Sequence, residues 1–333
     1  MKPSIDDIGK AALKSKSTNF DWVQNGTRAM IDLWMYNFAR NVSYILDGDS
    51  AKSLSVFKNK QKTLKNHKPD CSAVVIGGGP SVYEKNHLET LANSNYKGAI
   101  LCTDRMLIPC LKNGITPKKF PQFHVLTMDP YQITIKFYND KIVKKHAKGI
   151  SVIMSTCTIH ETVEICTNYG LNIFWFHPLI DDFRKLSSVN KTMNMMSKSE
   201  KNPNGLLGMQ TGGNVGCFGW IFSWAILGCS PVAVIGLDLG HPADTPIKNT
   251  RHYDEYCRIF KNDKTQINKY FKKIINTDLK TKVLSDPIFD FYREAFLDLV
   301  TRTPKWVRTI NSTEGGSLFG IGIKNMKLED FLK

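Results

Sequence analysis

Six short runs of β-branched and other apolar residues constrain the fold of this chain more than any other feature. The runs lie at residues 72–78, 98–104, 123–129, 149–156, 171–177 and 231–238. Continuous apolar runs of this length are typical of strands buried on both faces of a parallel sheet. Segments of helical length separate the first of them, and this alternation predicts a doubly wound, mainly parallel, Rossmann-like α/β fold.

The length of 333 residues suits two domains, or one large α/β domain with helical additions at its ends. We predict a helical N-terminal region at 1–66, a nucleotide-binding core at 70–245 and a helical C-terminal segment at 246–333 that returns to the site. The N-terminal region carries apolar residues at the spacing of one helix face. These residues are Trp34, Phe38, Val42 and Ile45.

Two further segments carry structural predictions. The longest apolar stretch, residues 217–236, is divided by Gly228 and Pro231 into parts of ordinary globular length. It therefore predicts a buried helix–turn–strand unit and not a membrane span. Residues 179–206 show no clean period and predict a long loop or lid.

The net charge of +15 is the main compositional deviation. A surface this basic attracts phosphorylated substrates, anionic membranes or nucleic acid, although a lysine-rich genome explains the charge equally well. Nucleic acid is not expected, because the lysine excess comes without arginine-rich clusters. The eight cysteines form no Cys-x-x-Cys pair, and the N-terminus has no apolar core of signal-peptide length. We expect a reduced, cytoplasmic protein, with peripheral contact with an anionic membrane left open.

Small and acidic residues follow the predicted strands, where an open parallel sheet binds its ligand. The residues predicted to bind a nucleotide are Gly77, Gly78, Gly79, Pro80 and Ser81 after the first strand, Thr103 and Asp104 after the second, and Asp129 after the third. Glycines let the backbone approach a phosphate, and amides at the following helix start carry positive partial charge. A tight turn without a ligand is the alternative. The turn matches neither the dinucleotide fingerprint nor the P-loop, so a P-loop kinase is not expected.

Two later glycine clusters extend the predicted nucleotide site. Thr211, Gly212, Gly213 and Asn214 open the apolar helix, and Thr211 and Asn214 can bond ribose, phosphate or base edges. Close packing of helix on sheet would also explain the glycines there. Glu314 and Gly315 in the C-terminal cluster offer a further polar wall or a simple turn.

The candidates for acid–base chemistry lie around the end of the last apolar run. They are Asp238, His241, His252 and Tyr253. A histidine near a strand-end aspartate can deprotonate an acceptor hydroxyl, although both histidines could equally be surface residues of a basic loop. The pair Asp181–Asp182 is more typical of a helix cap than of a divalent-ion site. No spacing in the chain demands a metal, and we predict none.

The ordered motifs GGGPS, CTD, MDP, TGGNVG and NSTEGG resemble those of one family over residues 70–320. It groups motility-associated (flagellin) glycosyltransferases with archaeal 6-hydroxymethylpterin diphosphokinases. Its GxGPS turn, TGG-x-V helix entry and G-x-DL strand end match residues 77–81, 211–215 and 236–239. The diphosphokinase branch carries TDLDG-like and HAHGDN-like motifs, whereas this chain has MDP at 128–130 and WFHPLIDD at 175–182.

The resemblance implies a sialyltransferase-like fold and a transfer of a nonulosonic sugar from a CMP donor to a protein or glycan hydroxyl. Such a donor carries its own leaving phosphate, so no cofactor is required beyond the CMP-sugar. In this interpretation His241 or His252 is the base and Tyr253 donates to the leaving phosphate. The alternatives are an ATP- and Mg²⁺-dependent diphosphokinase and a non-catalytic binding module for nucleic acid or anionic lipid.

Overall fold

A computed structural model of the protein describes residues 19–47, 52–54, 56–57 and 71–333. The remainder of the predicted N-terminal region lies outside these residues. The strands are β1 (Lys52–Ser53), β2 (Ala73–Ile76), β3 (Ala99–Thr103), β4 (Phe123–Thr127), β5 (Ser151–Ser155), β6 (Asn172–Pro178), β7 (Gly208–Met209), β8 (Val232–Ile235), β9 (His241–Pro242), β10 (Lys272–Asn276), β11 (Thr281–Ser285), β12 (Thr309–Asn311) and β13 (Ile323–Asn325). The helices are α1 (Asn19–Leu46), α2 (Ser81–Glu84), α3 (His87–Asn93), α4 (Leu107–Lys112), α5 (Ile135–Tyr138), α6 (Lys141–His146), α7 (His160–Tyr169), α8 (Val189–Met196), α9 (Val215–Ala225), α10 (Tyr253–Ile259), α11 (Lys264–Asn268), α12 (Pro287–Arg302) and α13 (Leu328–Phe331).

One large parallel sheet forms the centre of the described part of the chain. Its strands lie in the order β1-β6-β5-β4-β3-β2-β8-β12-β13, with β7 paired to the end of β6. Every pair in this sheet is parallel. Each of the six apolar runs forms a strand, so the predicted α/β, doubly wound, mainly parallel sheet is confirmed.

Two helical layers cover the sheet. On one face α1, α3, α4 and α7 pack against alternate strand residues such as Ile76, Ile100 and Ile235. On the other face α9 and α12 pack against the intervening residues, among them Val75 and Val234. Because side chains alternate across a strand, a β-branched run supplies both cores at once. The predicted face of α1 is confirmed, since its four apolar residues belong to the first core.

The apolar stretch 217–236 forms α9 and β8, as predicted. Gly219 lets α9 lie close to the sheet, because a Cβ there would come within 2.7 Å of side-chain atoms of Val75 and Leu126. Among the helices of the described residues, none is both long and apolar enough to cross a membrane.

Two predictions about secondary structure were wrong. Residues 179–206 include the helix α8, whose first turn is closed by Ser188, which accepts a hydrogen bond from the Lys191 amide. Two turns are too few for the period to show in sequence. The segment 246–333 is not simply helical. Its β10 and β11 form an antiparallel sheet with β9, and β12 and β13 extend the main sheet.

Candidate functional site

The side of the sheet on which the chain adds successive strands switches between β2 and β8. From β2 the chain builds β3, β4, β5 and β6 on one side, and β8, β12 and β13 then lie on the other. A ligand crevice in such a sheet lies beyond the carboxyl ends of the strands at this switch point. The segments that reach it are residues 77–81, 236–239 and 312–316, together with the turns after β3 and β4.

The glycine turn after β2 continues the pairing of β2 with β8. The amides of Gly77 and Gly79 donate to the carbonyls of Ile235 and Gly236, each at 2.8 Å. A Cβ on either glycine would overlap atoms of residues 236–238. These glycines are therefore needed for close passage of two backbones. The amides of Gly77 and Gly79 are therefore not free to bind a phosphate, and within the turn the Gly78 amide remains as a candidate donor.

The Asp238 carboxylate lies at the N-terminus of α2, the helix that follows this turn. Its Oδ2 accepts a hydrogen bond of 2.8 Å from the Ser81 hydroxyl, and the side chain is 8% exposed. Burial raises the pKa of Asp238 to about 6, although hydrogen bonds from Ser81 oppose the rise. A carboxylate of the protein thus lies where we expected an anionic ligand. Pro80, as the N-cap, has no amide to offer.

Two of the three polar residues predicted after β3 and β4 already accept hydrogen bonds from the protein. Asp104 accepts hydrogen bonds from the Thr127 hydroxyl and from the Arg105 amide, at 2.6 Å and 2.7 Å. Burial raises the pKa of Asp104 to about 7. Asp129 is half-buried and accepts a hydrogen bond from the Tyr131 amide, and burial raises its pKa. The Thr103 hydroxyl is buried without a hydrogen-bond partner among the described residues.

The second glycine cluster reaches the same edge of the sheet as the first. A Cβ on Gly216 would lie 2.6 Å from Leu237, which directly follows the residue that the first turn contacts. Asn214 caps α9, because its Oδ1 accepts a hydrogen bond of 2.9 Å from the Cys217 amide. Earlier amides of the first turn have no acceptor within the helix. Gly212 and Gly213 both have positive φ, and Gly213 and the partly buried Thr211 border solvent.

Two arginines that the sequence analysis missed, Arg105 and Arg251, lie near this crevice. Arg105 lies over Gly78, where an added Cβ would be 3.2 Å from the Arg105 Cδ. Partial burial and the charge of Arg251, in that order, lower the pKa of Arg105, so the two guanidinium groups lie within electrostatic range of one another. Neither has an ion-pair partner among the described residues. The sequence offered one signal, since Arg105 directly follows the predicted Thr103–Asp104 pair.

Tyr292 of α12 lies beside the second glycine cluster and within electrostatic range of Arg251. A Cβ on Gly213 would lie 3.3 Å from the Tyr292 ring. Burial raises the pKa of Tyr292 to about 12, and the charges of Arg251 and Asp129 also act on it, in opposite directions. The phenol therefore stays protonated and can donate a hydrogen bond at neutral pH. No motif marked this residue, because it lies in the middle of an ordinary amphipathic helix.

The two candidate histidines both contact the ring of Phe289, with ring centroids 5.4 Å away for His241 and 4.8 Å away for His252. The His241 Nε2 accepts a hydrogen bond from the Arg251 amide, and burial lowers the pKa of His241. The His252 Nδ1 lies 2.8 Å from the Oδ2 of Asp286, a buried carboxylate whose Oδ1 caps α12. This carboxylate–histidine contact orients the ring, as around a general-base histidine.

The remaining predicted residues have other surroundings. Tyr253 begins α10, and a hydrogen bond with Cys257 of the same helix is the main cause that raises its pKa. The Glu314 Oε1 accepts a hydrogen bond from the Leu328 amide and lies 3.3 Å from the His87 Nε2. Glu314 therefore connects the C-terminal cluster to α3 and α13. Gly315 borders open space.

No group of three or more His, Cys, Asp or Glu side chains within the described ranges is placed to hold a metal ion. A cavity of about 740 Å³ lies at the opposite, amino edge of the main sheet. Its lining includes Ser72, Pro231 and Arg308, which come just before β2, β8 and β12. We place the candidate site at the carboxyl edge, because the unpaired arginines and buried carboxylates converge there.

Comparison with known proteins agrees with this fold. The sequence matches the family model described as "6-hydroxymethylpterin diphosphokinase MptE-like" over residues 36–244. No curated protein matches the sequence.

Among solved structures, the chain is similar to a MAf glycosyltransferase from Magnetospirillum magneticum AMB-1, with a TM-score of 0.58 and 13% sequence identity. The match covers 93% of this chain and 43% of that one, so this chain spans less than half of its neighbour. At this identity the likeness shows the fold alone. Together the two matches confirm the resemblance predicted from the motifs.

Proposed function

Because this chain belongs to the 6-hydroxymethylpterin diphosphokinase MptE-like family, we propose that it is a transferase that uses a nucleotide-activated donor. We assign it to glycosyl transfer, with a CMP-activated nonulosonic sugar as donor and a protein or glycan hydroxyl as acceptor. The similarity of its fold to a solved glycosyltransferase supports this assignment. The chain's own departure from the diphosphokinase motifs also favours it, since MDP stands at 128–130 and WFHPLIDD at 175–182.

The observation that carries the proposal is the pair of unpaired guanidinium groups, Arg105 and Arg251, at the switch point. Two like charges in proximity repel one another, and an anion bound between them is attracted to both. Arginine binds phosphate through charge-assisted, bidentate hydrogen bonds. The single phosphate of a CMP-sugar carries the negative charge that such a pair of guanidinium groups attracts. The Gly78 amide and the first turn of α9 provide further donors beside it.

The same residues account for the chemistry of sugar transfer. The acceptor oxygen forms a bond to the anomeric carbon, and the bond from that carbon to the phosphate oxygen breaks with its electron pair leaving on CMP. The charge that develops on the phosphate is stabilised by Arg105 and Arg251, and Tyr292 donates a hydrogen bond there. In place of Tyr253, we therefore assign the leaving-group contact to Tyr292. The acceptor proton passes to the His252 Nε2, while Asp286 holds the ring.

The competing function is that of an ATP-dependent diphosphokinase, which the description of the family model favours. That reaction needs Mg²⁺, which binds through one or two carboxylates together with substrate phosphates. The strand-end carboxylates fit this demand poorly, because Asp104 and Asp238 already accept hydrogen bonds from Thr127 and Ser81. Asp129 alone is half-exposed. We therefore rank this function second.

Thermal-shift measurements with CMP, CTP, UDP and ATP, each with and without Mg²⁺, test the proposal. We expect CMP and CTP to stabilise the protein without a need for Mg²⁺. Loss of one phosphate-binding guanidinium in Arg105→Gln or Arg251→Gln should weaken CMP binding about tenfold or more. Arg302→Gln, an exposed arginine at the far end of α12, is the matched control and should bind normally. Stabilisation by ATP and Mg²⁺ with indifference to CMP would overturn the assignment.

The assignment of the base is tested by comparing two histidine variants. His252→Asn should lower kcat about 10²- to 10⁴-fold, the range for loss of a general base, with little change in CMP affinity. His241→Asn is the matched comparison, because His241 packs on the same Phe289 ring without a hydrogen-bonded carboxylate. A larger loss in His241→Asn than in His252→Asn would exclude His252 as the base.

A further inference from the structure

The segment between β6 and β7 holds four large apolar side chains in solvent. Leu186 is 98% exposed, Met195 68%, Phe183 54% and Met196 47%. They come from the turn that precedes α8 and from the outer face of α8 itself. We call this group, with the exposed basic residues among it, the apolar-basic surface. Contiguous exposed apolar groups of this kind mark interaction sites in soluble proteins.

The turn that carries Phe183 and Leu186 is held by hydrogen bonds at its base. Asp181 accepts hydrogen bonds from the Ser188 hydroxyl and the Val189 amide, at 2.8 Å and 2.5 Å. The Asn190 Oδ1 accepts from the amide of Asp181, and its Nδ2 donates to a backbone carbonyl of β6. A turn tied in this way keeps its apolar tip pointed outward, so the exposure is a built feature of the segment.

The helix α8 is likewise anchored to the main sheet. The buried His177 on β6 contacts the Thr156 hydroxyl through Nδ1 and the Ser197 hydroxyl through Nε2, both at 3.0 Å. Burial lowers the pKa of His177 to about 4, so the ring is neutral and both contacts persist at physiological pH. Met193 fills the buried side of α8. Met195 and Met196 therefore remain on the outer side.

The charges on this surface identify the partner. Exposed basic residues alternate with the apolar groups along the segment. They are Arg184, Lys185, Lys191 and Lys198. Nearby acidic residues are fewer: the half-buried Asp181 and Asp182, the second paired with Arg184 at 2.9 Å, and the exposed Glu200. The whole chain carries a net charge of +15. A second copy of this chain would bring lysine against lysine, and like charges repel.

We propose that the apolar-basic surface docks onto an anionic lipid membrane, with its apolar side chains at the acyl boundary and its basic residues at the headgroups. This is the arrangement of interfacial segments that lie on a bilayer without crossing it. The surface follows the carboxyl end of β6, and β7 leads from it to the glycine cluster at Thr211. The docked protein therefore presents the carboxyl edge of its sheet toward the lipid. The proposal does not depend on the transferase reaction.

Co-sedimentation with vesicles tests the proposal on the full chain. We expect binding to equimolar phosphatidylcholine and phosphatidylglycerol vesicles, weakening as salt is raised, and no binding to phosphatidylcholine alone. Leu186→Ser or Phe183→Ser should weaken binding about tenfold, since each removes one inserted apolar side chain. Ile321→Ser is the matched control, because Ile321 is 90% exposed outside this surface, and it should bind normally.

Charge variants separate the lipid proposal from other partners. Lys185→Gln should weaken binding to the anionic vesicles about fivefold, whereas Lys305→Gln, an exposed lysine between α12 and β12, should leave it unchanged. Three results would overturn the proposal. They are absence of binding to the anionic vesicles, equal binding of wild type and Leu186→Ser, and a concentration-dependent dimer that Leu186→Ser abolishes. The last would assign the surface to a second copy of the chain.

Discussion

Replacing Asp104 by asparagine should remove the part of the pH dependence of the unfolding free energy that comes from its buried carboxyl. Asp104 is 5% exposed and burial raises its pKa to about 7, against 3.8 for the free group. A carboxyl whose pKa is raised on folding contributes stability below its unfolded pKa, and that contribution is lost as pH rises through the folded pKa. The window for this residue therefore runs from about pH 4 to about pH 7.

The magnitude follows from the size of the shift. A rise of about three pKa units corresponds to about 4 kcal/mol between the protonated and ionised limits. Between about pH 5 and about pH 8, where only part of the titration falls, wild type should lose about 2.5 kcal/mol of unfolding free energy through this residue. The amide of asparagine has nearly the shape of the carboxyl and does not titrate, so the Arg105 amide keeps its acceptor.

Urea unfolding of wild type and Asp104→Asn at the two pH values measures the effect. The quantity compared is the change in each protein's unfolding free energy between those pH values. The fall in unfolding free energy from about pH 5 to about pH 8 should be about 2.5 kcal/mol smaller in Asp104→Asn than in wild type. Asp182→Asn, which changes a half-buried carboxylate paired with Arg184, should keep the fall seen in wild type over this window. An equal pH dependence in wild type and Asp104→Asn would refute the claim that the buried carboxyl ionises in this range.

Three further substitutions test the packing around the site, each by urea unfolding. Gly79→Ala should lower the unfolding free energy by about 2 kcal/mol or more, because its Cβ would overlap the Asp238 carboxylate. In the control Gly114→Ala the new Cβ meets no neighbouring atom, so only the strain of the positive φ, about 1 kcal/mol, should be lost. Phe296→Ala should cost about 3–5 kcal/mol, since the ring is fully buried between α12 and the sheet. Asn37→Ala should cost about 2 kcal/mol, because its amide donates to two buried backbone carbonyls, and a loss below about 0.5 kcal/mol would contradict that role.

The layout of the sheet could be predicted from local patterns. A continuous run such as 231–238 indicates a doubly buried strand by itself, because both faces must be apolar there. Gly228 and Pro231 likewise indicate where α9 gives way to β8. Two short elements were missed, α8, which extends only two turns, and the hairpin of β10 and β11, whose strands KKIIN and TKVLS carry only two large apolar residues each. Their surroundings include contacts outside each element, since β11 also pairs with β9 and the end of α8 contacts His177 of β6.

The candidate site was predictable only in outline. The glycine clusters at 77–81 and 211–216 converge, as expected for turns that follow parallel strands at one edge. The amides of Gly77 and Gly79 could not be judged in advance, because their acceptors belong to β8 and its turn. Nothing local to Arg251 indicates that its charge acts on Arg105, since a long segment and several strands separate the two residues.

The amino-acid sequence alone determined that the six apolar runs become strands and that glycine and aspartate follow several of them. These properties depend on side-chain period and on turn chemistry, which residues adjacent in the chain decide. Tertiary structure alone decided that β8 lies beside β2, that Asp238 meets Ser81 and that Asp286 holds His252. Such meetings depend on the order of strands in the sheet, and that order is set by the packing of both helical layers at once.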